Sequence, residues 1–403
     1  MVLQNTNEKT FNSIHVFLLL IACLLFTRCF NILGWDLFFG VRYYIIIGGV
    51  ITLLVVGAAL KTKTSRQICE KYATLLFIWP IVNLFFTTIM GNSLYDELVN
   101  SFSWTYIIGI FWILKKYKVT ERTIIITLTI FAIATCVIQI YEQINPELAI
   151  FGVIDPTADN YMGEIADMRN DLYRLKVGSA FIQIFCFFYY WDRVISKKQY
   201  VYLIIVFLLA ASIYLYLTRQ LIIAVSATCL LSLILQNTNS SKRVAFILLL
   251  FFGYALINNY EVLFGSLVSD YSDNTYTTDI RWECMSNTLS WQFDNLLSFI
   301  IGAGHPIYLL ERWYTKGYDM SDIGFIGAGF YYGLIWVVAY FKFVVTLLRK
   351  HRKQLPNYII LYFISTAIMS LFIFPYTNAP GIFVWTCTIY IVNLYVNMKV
   401  ENV

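Results

Sequence analysis

"YVYLIIVFLLAASIYLYLTRQLIIAVSATCLLSLILQ", residues 200 to 236, holds a single charged residue between two apolar runs. Each run is about as long as the 17 to 25 residues that an α-helix needs to cross a bilayer. The runs meet at Arg219 with almost no residues left over for a loop. The stretch therefore predicts two membrane-spanning helices joined by a tight hairpin, with Arg219 at the tip.

The composition of the whole chain extends this prediction. Of the 403 residues, 59% are hydrophobic and only 13% are charged, which is too apolar for a single water-soluble core. We predict an all-α integral membrane protein, a single polytopic domain over residues 1–403, with about 12 transmembrane helices. The spans are predicted at 13–33, 38–60, 73–91, 98–114, 122–142, 177–192, 200–217, 220–236, 244–264, 323–345, 357–374 and 380–397.

Lys and Arg residues concentrate in every second connection between the predicted spans. These clusters lie at 61–71, 115–122, 193–198, 242–243 and 349–353. Short loops rich in Lys and Arg stay in the cytoplasm, so both termini are predicted to be cytoplasmic. The net charge of +5 is then a signal of topology. Because the cations are dispersed over several short loops, they do not indicate nucleic-acid binding.

Two connections are long, and both are predicted to be external. They cover 143–176 and, between helices 9 and 10, the larger segment 263–322. Acidic residues outnumber basic residues in both segments. Within the second, residues 283–300 predict an amphipathic helix that lies along the membrane interface. Its apolar side would consist of Met285, Leu289, Phe293, Leu296 and Leu297.

The sequence lacks the motifs that indicate several kinds of binding or catalytic site. The eight cysteines have no zinc-binding spacing and imply no disulfide framework. The chain contains no Gly-rich phosphate loop and no H-E-x-x-H motif. We therefore expect no metal and no cofactor, and we expect any reaction to take place at the external membrane surface.

Arg219 is the first candidate for a functional role. Its two flanking helices are short for spans, so the hairpin tip should lie at or below the lipid headgroups. A charged residue inside the apolar layer costs about 2.5 to 3.5 kcal/mol on insertion scales. Two interpretations stay open: the arginine reaches up to lipid phosphates, or it faces a cavity and binds an anionic ligand.

Three features follow one another in order on the predicted external side. They are Arg219 with Ile223 one helical turn later, Arg281 ahead of a G-x-G element at Gly302 and Gly304, and Asp322 eleven positions before Gly333. In their order, side and spacing, these features resemble those of the superfamily of O-antigen polymerases and O-antigen ligases. The resemblance covers the topology of the whole chain, whereas the motifs cover only residues 218–223 and 279–333.

The resemblance implies a membrane glycosyltransferase of the GT-C-like fold that uses a glycan linked to undecaprenyl diphosphate. It implies that Arg219 and Arg281 bind the diphosphate. Guanidinium groups suit this role because they bind phosphate bidentately and stabilise the negative charge that grows on the leaving group. It further implies a bacterial inner membrane as the location and a chain-length regulator as a partner.

The resemblance leaves the general base open. Ligases of the superfamily carry a histidine where this chain has Asp322. Either Asp322 is the base, or His305 in the large external segment takes that role. Structural interpretations stand beside both, because Asp322 is also suited to cap a helix and His305 lies in a bend rich in Gly and Pro.

Four further residues are accessory candidates. Asp279 is a candidate for orienting the arginine two positions after it, and Arg169 and Arg174 are candidates for guiding an anionic lipid-linked substrate. Arg312, in the large segment predicted to be external, is the fourth accessory candidate. For Arg169 and Arg174, helical spacing instead predicts a solvated ion-pair network with Asp171.

The reaction predicted first is that of a surface polysaccharide (O-antigen) polymerase, which transfers a growing lipid-linked glycan onto the next lipid-linked repeat unit. Asp322 in place of a histidine favours this reaction over that of an O-antigen ligase, which transfers the glycan to lipid A core. A flippase or another transporter of lipid-linked oligosaccharides is a third alternative. The two halves of the chain show no convincing repeat, which disfavours transport.

Overall fold

A computed structural model describes residues 13–27, 48–50, 54, 68–98, 106–145, 166–169, 172–175, 178–216, 218–235, 275–316, 318–374 and 379–397. The predicted span at 244–264 lies outside the described residues, and so does most of the span at 38–60.

The described chain is almost entirely helical. Its α-helices are α1 (Ser13–Thr27), α2 (Ile68–Ile89), α3 (Leu94–Glu97), α4 (Ile110–Lys116), α5 (Glu121–Ile144), α6 (Ala180–Ile195), α7 (Leu203–Leu215), α8 (Arg219–Leu235), α9 (Thr275–Asp294), α10 (Leu296–Ile301), α11 (Ile307–Tyr314), α12 (Gly324–Tyr332), α13 (Leu334–Thr346), α14 (Asn357–Met369) and α15 (Ala379–Asn397). Short 3-10 turns cover Tyr106–Gly109, Tyr200–Tyr202 and Met320–Ile323, and a π-turn covers Leu347–His351. A β-hairpin pairs β1 (Ala166–Arg169) with β2 (Leu172–Leu175).

Within these ranges, three helices are long and apolar enough to cross a membrane: α2, α5 and α15. They coincide with the predicted spans at 73–91, 122–142 and 380–397, and this confirms an apolar helix at each place. Four further apolar helices are shorter, at Ser13–Thr27, Tyr200–Leu215, Gln220–Leu233 and Asn357–Met369. The chain is therefore a helical protein with membrane-capable helices, and the count of twelve spans stays a prediction.

The prediction of one continuous helix over 323–345 is wrong. The helix breaks at Gly333, which has a φ of +84° and separates α12 from α13. A Cβ at this position would lie 2.3 Å from the carbonyl carbon of Ile301 and 2.4 Å from the oxygen of Ile300. Only glycine leaves room for that backbone and adopts this φ without strain.

Helix ends gather on two sides of the bundle. On the first, the Glu121 side, the hydroxyls of Tyr358 and Tyr395 donate to the two carboxylate oxygens of Glu121, each at 2.6 Å. These contacts join the start of α5 to the start of α14 and the end of α15. Lys115 and Glu70 form an ion pair at 3.0 Å and join the end of α4 to the start of α2. The topology predicted from the sequence places all of these helix ends on the cytoplasmic side.

The opposite side, the Gly178 side, is marked by a close approach of three chain segments. A Cβ at Gly178, just before α6, would lie 1.8 Å from the carbonyl oxygen of Thr27 at the end of α1. It would also lie 3.3 Å from the ring of Pro380 at the start of α15. Helix α15, which starts here and ends on the Glu121 side, therefore runs between the two sides.

Helix α15 is the central helix of the described bundle. It packs against α1, α2, α4, α5 and α6, and its Trp385 is fully buried. The Trp385 ring lies 4.9 Å from the ring of Phe363 and 5.4 Å from that of Tyr340. Aromatic burial of this size supplies much of the packing energy of a core.

A second apolar cluster lies beside the bundle and joins α9, α11 and α12. Trp313 of α11 packs edge-on against Trp291 of α9, and its ring lies 5.4 Å from that of Phe330 in α12. Cys284, Tyr318, Met320 and Ile323 are buried in the same cluster. The described part of the segment predicted to be external is therefore a packed layer that holds α9 against the start of α12.

The predicted amphipathic helix over 283–300 is not continuous and does not present one uniform side. It breaks at Asn295, between α9 and α10. Met285 and Leu289 pack into the second cluster. Phe293 and Leu296, by contrast, are 59% and 62% exposed.

The helical spacing expected around Arg169 and Arg174 is also wrong. Both residues lie in strands of the hairpin, where Asp167 is in register with Arg174 and Arg169 with Leu172. A strand has a period of two residues, so the helical pairing with Asp171 does not apply.

Candidate functional site

Arg281 and Asp322 meet at the protein surface, in the segment that the sequence predicts to be external. The Nη2 of Arg281 donates to the Oδ2 of Asp322 at 3.0 Å, and the two side chains are 46% and 44% exposed. Arg281 lies on α9, and Asp322 lies in the 3-10 turn before α12. The second cluster holds these two elements together, so two of the four principal candidate residues form one contact.

The interpretation of Asp322 as a helix cap is wrong. Ile323 occupies the position before α12, and no side chain caps the first turn. The carboxylate of Asp322 points to Arg281 instead. The side chain therefore pairs with a cation and does not bond the backbone of its own helix.

His305 lies at the other end of α12. Its ring stacks on that of Tyr331, with centroids 4.3 Å apart and planes at 9°. The surrounding protein desolvates the imidazole and lowers its pKa to about 3, because burial disfavours the charged form. Among the contacts of the described residues, Asp322 bonds Arg281, whereas the ring of His305 stacks on Tyr331.

His305 occupies a tightly held bend, as the Gly- and Pro-rich sequence predicts. Its backbone N–H donates to the Oε1 of Glu97 at 2.6 Å, and Glu97 is fully buried. The side chain of Asn92 donates to the same Oε1 at 2.6 Å and to the carbonyl of Ala303 at 2.9 Å. The side chains of Glu97 and Asn92 thus hold the bend in place through hydrogen bonds to its backbone.

The bend in turn completes the broken helix. The N–H groups of Ala303 and Gly304 donate to the carbonyls of Phe330 and Tyr331 at 2.7 and 3.1 Å. The indole N–H of Trp79 donates to the next carbonyl, that of Tyr332, at 2.6 Å. The last carbonyls of α12, which a helix end leaves without intrahelical partners, are therefore satisfied by groups from other elements.

Sequence reasoning missed Glu97, Asn92 and Trp79. One signal was present: "GNSLYDELVN", residues 91–100, places two carboxylates at the edge of an apolar run. The contact of Glu97 with residue 305 spans 208 positions, so spacing in the sequence gives no indication of the partner.

Arg219 begins α8, directly after the hairpin tip, and its side chain lies outside the described residues. The tip is held by buried polar contacts. The hydroxyl of Tyr216 bonds that of Ser179 at 2.9 Å, and Gln183 donates to Ser179 at 3.3 Å. Ser179 precedes α6 on the Gly178 side, so Arg219 starts on that side too.

Helix α14 contacts both α8 and the start of α12. Helix α8 packs along α14, which starts on the Glu121 side and therefore ends on the Gly178 side. At that end the N–H of Phe325 donates to the carbonyl of Ser370 at 2.9 Å. The start of α12 therefore lies at this end of α14.

An apolar groove of about 250 Å³ lies between α7 and α8. Along α8 it extends from Ile222 to Leu233, eleven positions or about 16 Å of helix. Its lining also includes Ala210, Ile213, Val225 and Cys229. The groove begins one helical turn below Arg219 and has the dimensions of a hydrocarbon chain segment.

The accessory candidates are not gathered at the Arg281–Asp322 pair. Arg312 is exposed in the last turn of α11. Arg169 and Arg174 lie in the β-hairpin. Asp279 lies on α9, two positions before Arg281, and its side chain is outside the described residues.

Comparison of the chain with models of known protein families, with curated proteins and with solved structures finds no match.

Proposed function

We propose that the protein is a membrane glycosyltransferase that polymerises a surface polysaccharide from units linked to undecaprenyl diphosphate. The contact of Arg281 with Asp322 carries this proposal. It combines an anion-binding guanidinium with a carboxylate that can accept a proton, and both are open to solvent. Phosphoryl leaving groups need the first, and acceptor hydroxyls need the second.

In the proposed reaction, a hydroxyl of the acceptor repeat unit attacks the anomeric carbon of the donor's reducing-end sugar. Asp322 takes the hydroxyl proton, a new glycosidic bond forms, and the bond from that carbon to the diphosphate oxygen breaks. Arg281 and Arg219 stabilise the negative charge that appears on the departing diphosphate. Inversion at the anomeric carbon is part of what the family resemblance implies.

The groove between α7 and α8 supports a lipid-linked substrate. It is apolar along its length, and the helix that forms one wall begins with Arg219. In a lipid-linked substrate, the anionic diphosphate would lie near Arg219 and the prenyl chain would lie in the apolar groove.

The position of His305 supports Asp322 as the base. A desolvated imidazole with a pKa of about 3 is neutral at physiological pH and accepts a proton poorly. The proposal therefore favours a polymerase, in which the family's histidine is replaced by Asp322. A ligase that transfers the glycan to lipid A core is the alternative within this family.

The proposal includes the topology: twelve spans of a GT-C-like fold in a bacterial inner membrane, with both termini cytoplasmic and the Gly178 side external. Its partners are the lipid-linked oligosaccharide and a chain-length regulator.

Transport of a lipid-linked oligosaccharide is a second candidate function, and the break at Gly333 favours it. Transporters place substrate and ion sites at broken helices. Here the carbonyls at the break bond Ala303, Gly304 and Trp79, so those groups are engaged within the protein. This contrast favours the glycosyltransferase.

Deletion of the gene in its host tests the proposal, with the surface glycan separated on a gel and the lipid-linked pool extracted in parallel. A polymerase predicts loss of the ladder, with single repeat units still attached to the anchor. Full-length polymer stranded on undecaprenyl diphosphate would establish the ligase instead. An accumulation of lipid-linked units on the cytoplasmic leaflet would establish the transporter.

A further inference from the structure

Arg281 already holds an anion that belongs to the protein itself. Its Nη2 bonds the Oδ2 of Asp322 at 3.0 Å. In the proposed function the same guanidinium binds the diphosphate of the donor. The carboxylate therefore stands where a phosphate oxygen of the substrate would bind.

The pair is weak enough to exchange. Both side chains are more than 40% exposed, and exposed ion pairs contribute only about 0 to 1 kcal/mol because water screens them. A diphosphate offers several charged acceptor oxygens and binds the planar guanidinium bidentately, which makes it the stronger partner. Once the diphosphate is bound, repulsion between the anions drives the carboxylate away.

We propose that Asp322 occupies the Arg281 anion site in the free protein and that the donor's diphosphate displaces it. This inference rests on the proposed function and concerns the regulation of the same site. The displaced carboxylate becomes available to the acceptor hydroxyl only when a donor is bound. The exchange thereby requires the donor to bind before the acceptor reacts. While no donor is bound, the carboxylate of Asp322 stays paired with Arg281 and cannot act as the base.

A binding experiment tests the exchange on the purified full-length protein in detergent, with inorganic diphosphate as the probe in titration calorimetry. Asp322→Asn removes the competing charge, so we expect diphosphate to bind about two- to fivefold more tightly, the range that corresponds to the strength of an exposed pair. Arg281→Ala should abolish the binding. Polymerising activity of Asp322→Asn should fall even though its ligand affinity rises.

Asp319→Asn is the matched control. Asp319 is exposed and lies three positions before Asp322. The negative charges of both carboxylates raise the pKa of Cys284 in α9, so both lie near that residue. The control therefore removes the same charge from the same part of the surface. It should leave the dissociation constant within about 1.5-fold, because the anion that Arg281 binds in the free protein is the carboxylate of Asp322. Asp322→Ala repeats the test with a side chain that cannot bond Arg281.

Each outcome decides the question. Weaker binding in both Asp322 variants would overturn the exchange, since it would mean that the carboxylate orients Arg281 for the ligand. An equal gain in Asp319→Asn would also overturn it, because the effect would then be a general one of net charge. If the unmodified protein and Arg281→Ala both fail to bind diphosphate, the assignment of Arg281 fails, and the proposed function loses its support along with the exchange.

Discussion

The carboxylate of Glu97 fills the space in which a side chain at position 304 would begin. A Cβ at Gly304 would lie 2.3 Å from the Oε1 of Glu97, and Gly304 has a φ of +65°. We expect Gly304→Ala to destabilise the protein by about 2 to 4 kcal/mol, through about 1 kcal/mol of backbone strain and the remainder from overpacking. Thermal unfolding of the purified protein in detergent measures the loss.

Glu97→Ala combined with Gly304→Ala separates the two contributions. Without the carboxylate, the added methyl group has room, and the change at 304 should then cost only about 1 kcal/mol. Gly329→Ala is the control, because a Cβ there meets its nearest neighbour at an ordinary 3.8 Å. Additive losses in the double variant would show that Glu97 does not fill this space in solution.

The two candidate bases should separate cleanly. Asp322→Asn should lower the polymerisation rate by about 10² to 10⁴-fold, the usual contribution of a general base. His305→Gln should stay within about threefold of the unmodified rate, because the His305 ring is stacked on Tyr331, whereas it is Asp322 that contacts Arg281. Incorporation of labelled repeat units in membrane vesicles gives both rates. A His305 variant as slow as the Asp322 variant contradicts the assignment.

His305 should also make stability depend on pH. Its folded pKa of about 3 lies below the ordinary value of 6.5, so below pH 6.5 the unfolded chain binds a proton that the folded chain does not. The free energy of unfolding should therefore fall as the pH drops from 6.5 towards 3, by up to about 2 kcal/mol at pH 5 relative to pH 8. Unfolding of the protein and of His305→Asn at both pH values measures this.

The variant His305→Asn should lose that part of the pH dependence, whereas His351→Asn should keep it. His351 lies on the Glu121 side, where its ring nitrogen bonds the side chain of Gln354 at 3.2 Å. Parallel pH curves for the protein and His305→Asn would show that the imidazole is solvated in the folded state.

The three long helices could be predicted because their signal is local. The runs at α2, α5 and α15 are apolar over the length of a span, so hydropathy alone finds them. The break at Gly333 could not be predicted, since the run from 323 to 341 contains no charged residue and no proline. What breaks the helix is the backbone of Ile301, which the sequence does not place beside Gly333.

The candidate site divides in the same way. Arg281 and Asp322 could be selected by residue type, order and predicted side, but their contact joins residues 41 positions apart. Glu97 carries no motif, and its importance comes from the bend that folds onto it. Residue chemistry could therefore be predicted, whereas partners that depend on tertiary packing could not.

Arg281 should be far more sensitive to substitution than Arg312. Arg281→Ala should lower the polymerisation rate by about 10² to 10³-fold, which is the usual effect of removing one donor to a developing negative charge. Arg281→Lys should recover only part of the activity, because an ammonium does not bind phosphate bidentately. Arg312→Ala, an exposed change on α11, is the control for net charge. Equal losses at both positions would show that the segment acts through its overall charge.

Residues on the Gly178 side should be accessible from outside the cell, and residues on the Glu121 side should be accessible only from the cytoplasm. We expect Ser286→Cys, exposed on α9, to react with a membrane-impermeant maleimide in intact spheroplasts, and Lys197→Cys, exposed after α6, to react only once the membrane is opened. The reason is that Ser286 belongs to the segment joined to the Gly178 side, whereas Lys197 follows the end of α6 on the Glu121 side. The described cysteines are buried or half-buried, and the unmodified chain measures their background. Labelling of Lys197→Cys in intact spheroplasts, with Ser286→Cys protected, would invert the proposed topology and remove Arg281 from the external face.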